Sequence, residues 1–228
     1  MPAKMSAEDI EKKREQILDA AFAICMKKPM HEISMRDIIT EVGFSQGNIY
    51  RYFASLDEII IELINRKRIA FDVKTAVDDA VSLGCTPERV ISELFKIWGE
   101  VVLGDALSVS KIYHEMSAIY ASDHERRHRF VSRIQFITDN DYLRGKGFGF
   151  AAQKVKEGYF KPMLLIEDIV DYVNISFSGI IRETILTIHY RTPTPKPLDK
   201  DRLLNSLCTA FVLLLGGNEK LIYPQEAM

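Results

Sequence analysis

Apolar residues recur at three- and four-residue spacing along nearly the whole of this 228-residue chain, and the alternation of half-buried strands is absent. That pattern predicts an all-α protein. A first helix is expected from about residue 7 to 28, with Ser6 as N-cap, Asp9 three residues on, and Ile10, Ile17, Ala21, Ile24 and Cys25 as its inward stripe. Ser34 is placed to cap a second helix that turns Met35, Ile38 and Ile39 inward. Gly43 then supplies a turn that a left-handed backbone makes easy, and Ser45 caps a short third helix. Ser55-Leu56-Asp57-Glu58 has the spacing of a capping box and starts a fourth helix, expected to run to about Val81.

Beyond that point the punctuation is proline and glycine. Pro87 suits the first turn of a helix over 87–103. Further helices are expected over 105–121 and 123–144, a loop at Gly145-Lys-Gly-Phe-Gly149, and a short helix at 150–159. Two strongly amphipathic segments close the chain, one over 166–189 and one over 199–215, separated by Thr192-Pro-Thr-Pro-Lys-Pro197, an extended linker. The chain divides on this reading into a helix-turn-helix domain over 1–55 and a larger helical domain over 56–228.

Composition narrows the possibilities. The net charge is −2, which excludes a broadly basic nucleic-acid binder. The first 70 residues carry eleven cations and eleven acids. From Arg36 to Phe53, however, the acids are Asp37 and Glu41, both on the second helix, and Ser45–Tyr52 holds Arg51 and no acid. A phosphate array meets no repulsion there. The three cysteines, at 25, 85 and 208, are far apart and sit among apolar residues, which reads as core filling rather than a disulfide framework. The N-terminal residues lack the apolar run of a signal peptide, and the apolar run at 203–217 is shorter than the about 20 residues that cross a bilayer. A cytoplasmic protein without a membrane partner is expected.

Residues 34–53 have the outline of a helix-turn-helix, whose second helix can enter the major groove. The residues Ile17-Leu18-x-Ala20-Ala21-x-x-x-Cys25, Ile33-Ser34-Met35-Arg36-Asp37-Ile38, and Val42-Gly43-Phe44-Ser45-x-Gly47-x-Ile49-Tyr50-x-Tyr52-Phe53, with Glu58 beyond, resemble the DNA-binding domain of the TetR family of transcriptional regulators. Two departures stand out. The connection at Lys28-Pro29-Met30 lacks the family's usual glycine and aromatic, and Leu56 occupies the position of a phosphate-binding lysine. Weaker nonspecific affinity is expected from the second.

On residue chemistry, Gln46 and Asn48 suit base edges, and Arg51 suits guanine or phosphate. Arg36 can reach a base or phosphate, Gly47 permits close approach of the backbone, and Ser34, Ser45, Tyr50 and Tyr52 offer hydroxyls to phosphates. The resemblance further implies a ligand-responsive repressor. Its segments at 166–189 and 199–215 would pair with a second copy, setting two reading helices on a palindromic operator. A largely apolar small-molecule effector would release it. Candidate effector contacts are Trp98, Tyr113, Met116, Tyr120, Phe136, Asn174 and Phe177, with Asn174 an amide in an apolar stripe that needs a partner.

One constellation points elsewhere. His124-Glu125-Arg126-Arg127-His128 has the spacing of a zinc-binding helix with a glutamate base, the mark of a metal-dependent hydrolase. Arginines fill its middle positions and no third ligand follows at matching spacing, so a charged surface turn is the preferred reading. Gly145–Gly149 lacks the remaining residues of a phosphate loop. No enzyme activity and no cofactor are expected. A helical interaction protein that has lost DNA binding is the third alternative, prompted by Leu56 and the neutral first segment.

Overall fold

The computed structural model describes residues 6–66, 72–104, 107–190 and 198–222, without the side chains of Leu107 and Phe136. The described residues are helical, with no strand among them. The linker expected at 192–197 lies outside them, as do 67–71, where the fourth helix was expected to continue.

The chain divides into two compact units. The first comprises residues 1–68 and 111–136. It contains α1 (Ala7–Lys27), α2 (Met35–Val42), α3 (Gln46–Tyr50) and α4 (Leu56–Arg66), with a 3-10 turn at Met30–Glu32 between α1 and α2. This grouping puts α4 with the N-terminal helices rather than with the segment that follows residue 55. Ser6 and Ser34 both form full capping boxes, with Asp9 and Asp37 reaching back to the cap amides. The inward face of α1 is Ile17, Leu18, Ala21, Ile24 and Cys25. Ile10, expected among them, is 40% exposed, because the first turns of α1 extend past the helices that cover the rest.

The remaining first-unit helices are most of α7 (Leu107–Ile119) and α8 (His124–Val131). A single helix was expected over 123–144, but the chain breaks between α8 and α9 (Gln135–Lys156). The Asn65 side chain takes up the freed backbone groups there. Its amide donates to the Arg133 carbonyl at 2.9 Å, and its oxygen accepts from the Gln135 amide at 3.0 Å.

The second unit comprises 69–110 and 137–228. It holds α5 (Val73–Ser82), α6 (Pro87–Leu103), most of α9, α10 (Ile166–His189) and α11 (Lys200–Leu214). Asp72 has extended backbone and accepts from the Lys74 and Thr75 amides, so α5 begins afresh instead of continuing α4. The loop expected at 145–149 is wrong: α9 runs through all three glycines. Tertiary packing overrides their low helix propensity. Leu143 is buried, and Lys146 and Tyr142 both hold Asp78, at 2.9 and 2.8 Å. Just past the end of α11, Gly216 has a φ of +77°, and a Cβ there would run into the Lys161 carbonyl. No helix among the described residues is long and apolar enough to cross a membrane.

Candidate nucleic-acid interface

The turn between α2 and α3 follows from Gly43, which ends α2 in the left-handed region (φ 73°, ψ 16°) and donates its amide to the Ile39 carbonyl at 3.1 Å. α2 anchors through Ile38, fully buried, while Met35 and Ile39 are only half-buried. α3 is barely one and a half turns long and hangs on one side chain, Ile49, which is also fully buried. Just past it Phe53 is buried under the Arg14 guanidinium, 4.5 Å from its ring centroid. Arg14 also donates to the Tyr52 carbonyl at 3.0 Å and pairs with Glu62 of α4, which ties α1, the end of α3 and α4 together.

With Ile49 turned inward, α3 presents Gln46, Gly47, Tyr50 and Arg51 to solvent, and Asn48 is half-buried. The side chains of Gln46, Asn48, Tyr50 and Arg51 have no hydrogen-bonding partner among the described residues. Ser45 occupies the N-cap position, yet its hydroxyl makes no cap bond, contrary to expectation; its carbonyl takes the Asn48 and Ile49 amides instead. That hydroxyl is left for another partner. Arg36 projects from the first turn of α2, exposed, and Ser34 shares its hydroxyl with Asp37. The Ser34 hydroxyl, then Lys28, hold the Asp37 carboxyl well below the usual range. Tyr52 is half-buried. A Cβ at Gly47 would meet nothing within 4 Å. The fold itself does not require glycine there, and the backbone at Gly47 stands bare to solvent.

Residues 17–63 match the bacterial regulatory proteins of the tetR family. That segment is a DNA-binding domain of the TetR type. It is 34% identical over 64 residues to the HTH-type transcriptional regulator YfiR of Bacillus subtilis, a match spanning 28% of this chain and 31% of that protein. Over 169 residues it is 24% identical to the HTH-type transcriptional repressor KstR2 of Mycobacterium tuberculosis, covering 73% of this chain and 78% of the relative. The solved structure of KstR2, described as a ketosteroid transcriptional regulator, superposes with a TM-score of 0.51 at 21% identity, over 90% of this chain and 93% of that one. PfmR from Thermus thermophilus, a TetR family regulator, superposes with a TM-score of 0.55 at 16% identity, over 88% and 97%. At these identities the structural likeness speaks for the fold alone.

Within the TetR-type domain, the head of α4 departs from a simple capping box. Ser55 Oγ accepts the Glu58 amide at 3.3 Å, but Glu58 reaches one residue further back, to the Ala54 amide at 2.7 Å. Leu56 is half-buried. Asp57 is held by groups far from it in sequence. Arg126 of α8 grips its carboxylate through two bonds of 2.8 Å, and the Tyr120 hydroxyl donates to it at 2.6 Å. Arg126, foremost, and Tyr120 keep Asp57 below the usual carboxylate range, against the opposing effect of burial. Burial and the same carboxylate push the Tyr120 hydroxyl up. A second clamp joins α7 to the end of α1. Lys111, 2% exposed, donates to the Cys25 carbonyl at 2.8 Å and pairs with Glu115 at 2.8 Å, and Glu115 accepts the Met30 amide at 2.7 Å.

The candidate effector residues fall in different units. Tyr113, Met116 and Tyr120 belong to the first, where Met116 and Tyr120 are core and Tyr113 stacks on Phe130. Trp98, Asn174 and Phe177 belong to the second. The side chain of Phe136 lies outside the described residues. Trp98 stacks on Phe177 at 3.7 Å between centroids and donates its indole N–H to Asn140 at 2.8 Å. Beside Trp98 is a void of about 20 Å³, lined by Phe95, Leu143, Phe148 and Phe211, with Arg144 as the charged group on its wall. Asn174 is half-buried rather than sunk in an apolar stripe, and its oxygen accepts from Arg144 at 3.1 Å.

His124 and His128 stand exposed on α8, and Glu125 between them pairs loosely with Arg129 at 3.7 Å. No group of three or more metal-ligating residues occurs among the described residues. Cys85 is exposed, against expectation, because it lies in the turn before α6; Cys25 and Cys208 are buried.

Proposed function

We propose that this protein is a TetR-family transcriptional repressor that binds a palindromic DNA operator as a dimer and is released by a small, largely apolar effector. The observation that carries the DNA reading is the outward face of α3. Gln46, Asn48, Tyr50 and Arg51 are unpaired donors and acceptors on a helix fixed through Ile49, and side chains of these types read base edges and phosphates. Repression is supported by the relatives described as repressors.

Dimerisation is supported by α10 and α11, though through other residues than the full apolar stripes. Ile169, Val173, Phe177 and Ile185 of α10, with Leu204, Leu207, Phe211 and Leu215 in and just beyond α11, are spent on the core of their own unit. Apolar surface remains at Tyr172, Ile175 and Ile188 of α10 and at Leu213 of α11. A second copy covering them would place two α3 helices about one duplex turn apart, roughly 34 Å, or somewhat more.

The effector reading rests on the aromatic interior around Trp98. The void of about 20 Å³ holds no more than a water, whereas ligand pockets run to about 300 Å³ and above. A ligand entering here would therefore select a more open conformer, which is how binding shifts a regulator between states. The protein acts on this reading by binding rather than by catalysis.

Selection of bound fragments from a random duplex pool tests the function. Recovery of an inverted repeat, bound with a steep salt dependence, is expected. No enrichment at low salt would sink the proposal.

A further inference from the structure

The first unit poses a charge problem. Its residues 1–68 carry equal numbers of cations and acids, and Leu56 puts no cation at the head of α4. Residues 111–136 change the balance, with five cations (Lys111, Arg126, Arg127, Arg129 and Arg133) against three acids (Glu115, Asp123 and Glu125). Lys111 is buried against Glu115, so the surplus reaching solvent is the arginines of α8 and Arg133 just beyond it.

The position of α8 gives that surplus a use. Arg126 grips Asp57 in the first turn of α4, and Asn65 in its last turn binds the Arg133 carbonyl and the Gln135 amide. α8 therefore lies alongside α4 from head to tail, within one unit. Arg126 also neutralises Asp57, an acid beside the head of α4 that would otherwise repel phosphate. Phe130, one turn from Arg126, is buried among Tyr113 and Tyr120 and fixes the inward side of α8. Arg127 and Arg129 flank that inward side and are exposed. Arg127 has no hydrogen-bonding partner among the described residues, and Arg129 has only the loose pair with Glu125, an exposed pair of little worth.

We propose that α8 is a second duplex-contacting surface, with Arg127 and Arg129 meeting backbone phosphates beside the head of α4 and supplying the salt-dependent attraction that Leu56 cannot. This inference rests on the operator-binding reading above. The contacts carry no sequence information, so they lengthen the footprint and strengthen binding to every duplex alike.

The test uses the full chain and a labelled random-sequence duplex pool, titrated from about 50 to 200 mM potassium chloride. In the Arg127→Ala/Arg129→Ala variant the slope of log affinity against log salt is expected to become shallower by about 2 to 4 units for the dimer, since each phosphate contact contributes about 0.9 and each protomer loses two arginines. Affinity for the pool and for the wild-type selected site should fall by the same factor, and the selected sequence should not change. Lys156→Ala, an exposed cation in the second unit, should leave the slope where it was. Both variants remove exposed side chains, and circular dichroism checks that the helices persist. A steep wild-type slope left unchanged in the double variant overturns the inference while leaving the operator reading intact. A wild-type protein with no salt-dependent duplex binding overturns both.

Discussion

The α3 face and the interior around Trp98 use the same kinds of side chain to opposite ends. In α3, one buried isoleucine holds five residues in place and the polar side chains point away from every internal partner. Around Trp98 each polar group is answered within the fold, the indole by Asn140 and Arg144 by Asn174, and the rings stack on one another. The difference separates a surface whose polar groups find no partner within the fold from a core that answers its own. It also means that substitutions in the two regions should fail in different ways.

Trp98→Ala gives the largest effect expected on stability. Losing its stack with Phe177 and opening a hole should cost about 3–5 kcal/mol in urea unfolding, with the α3 helix still able to bind duplex where the protein remains folded. Next in size, Arg51→Ala and Gln46→Ala should each cost about 1–3 kcal/mol in operator affinity, measured by fluorescence anisotropy, with the unfolding midpoint unmoved. A large loss of stability in either α3 variant would erase the contrast. Gly43→Ala should combine the two modes, losing about 1–2 kcal/mol of stability because alanine is strained at φ 73° and misplacing α3 as well. The smallest effect concerns acid. The folded-state pKa of Asp57 is depressed, so its contribution is present in full above its ordinary value of 3.8 and is lost as pH falls through the lower folded value. Asp57→Asn should therefore be less stable than wild type at neutral pH, and the gap should narrow below about pH 4 in thermal melts.

What the sequence made legible was local. Ser6 with Asp9, Ser34 with Asp37, Pro87 at a helix start and Gly43 at a turn act through neighbours a few residues away, and each appears as expected. The extent of α10 followed from its apolar period. What was not legible depends on residues distant in sequence. Nothing near Asp57 announces Arg126, and nothing near Asn65 announces the helix break at 132–134 that it bridges. The glycines of α9 look like a loop until Leu143, Tyr142 and Lys146 find their partners. Cys85 looked like core because its apolar neighbours in sequence are not its neighbours in space. Burial pushes the Cys25 and Cys208 thiols up to about 12, so a thiol reagent should modify Cys85 in the folded protein and the other two only on unfolding.

The central claim is that the unpaired side chains of α3 read the operator bases. The most direct measurement is duplex selection carried out in parallel on the wild-type chain and on Gln46→Ala and Arg51→Ala. The account predicts an inverted repeat for wild type, and for each variant a loss of preference confined to one symmetric pair of positions in the repeat. Variants that select the wild-type sequence unchanged, or a wild-type chain that selects nothing, would contradict it.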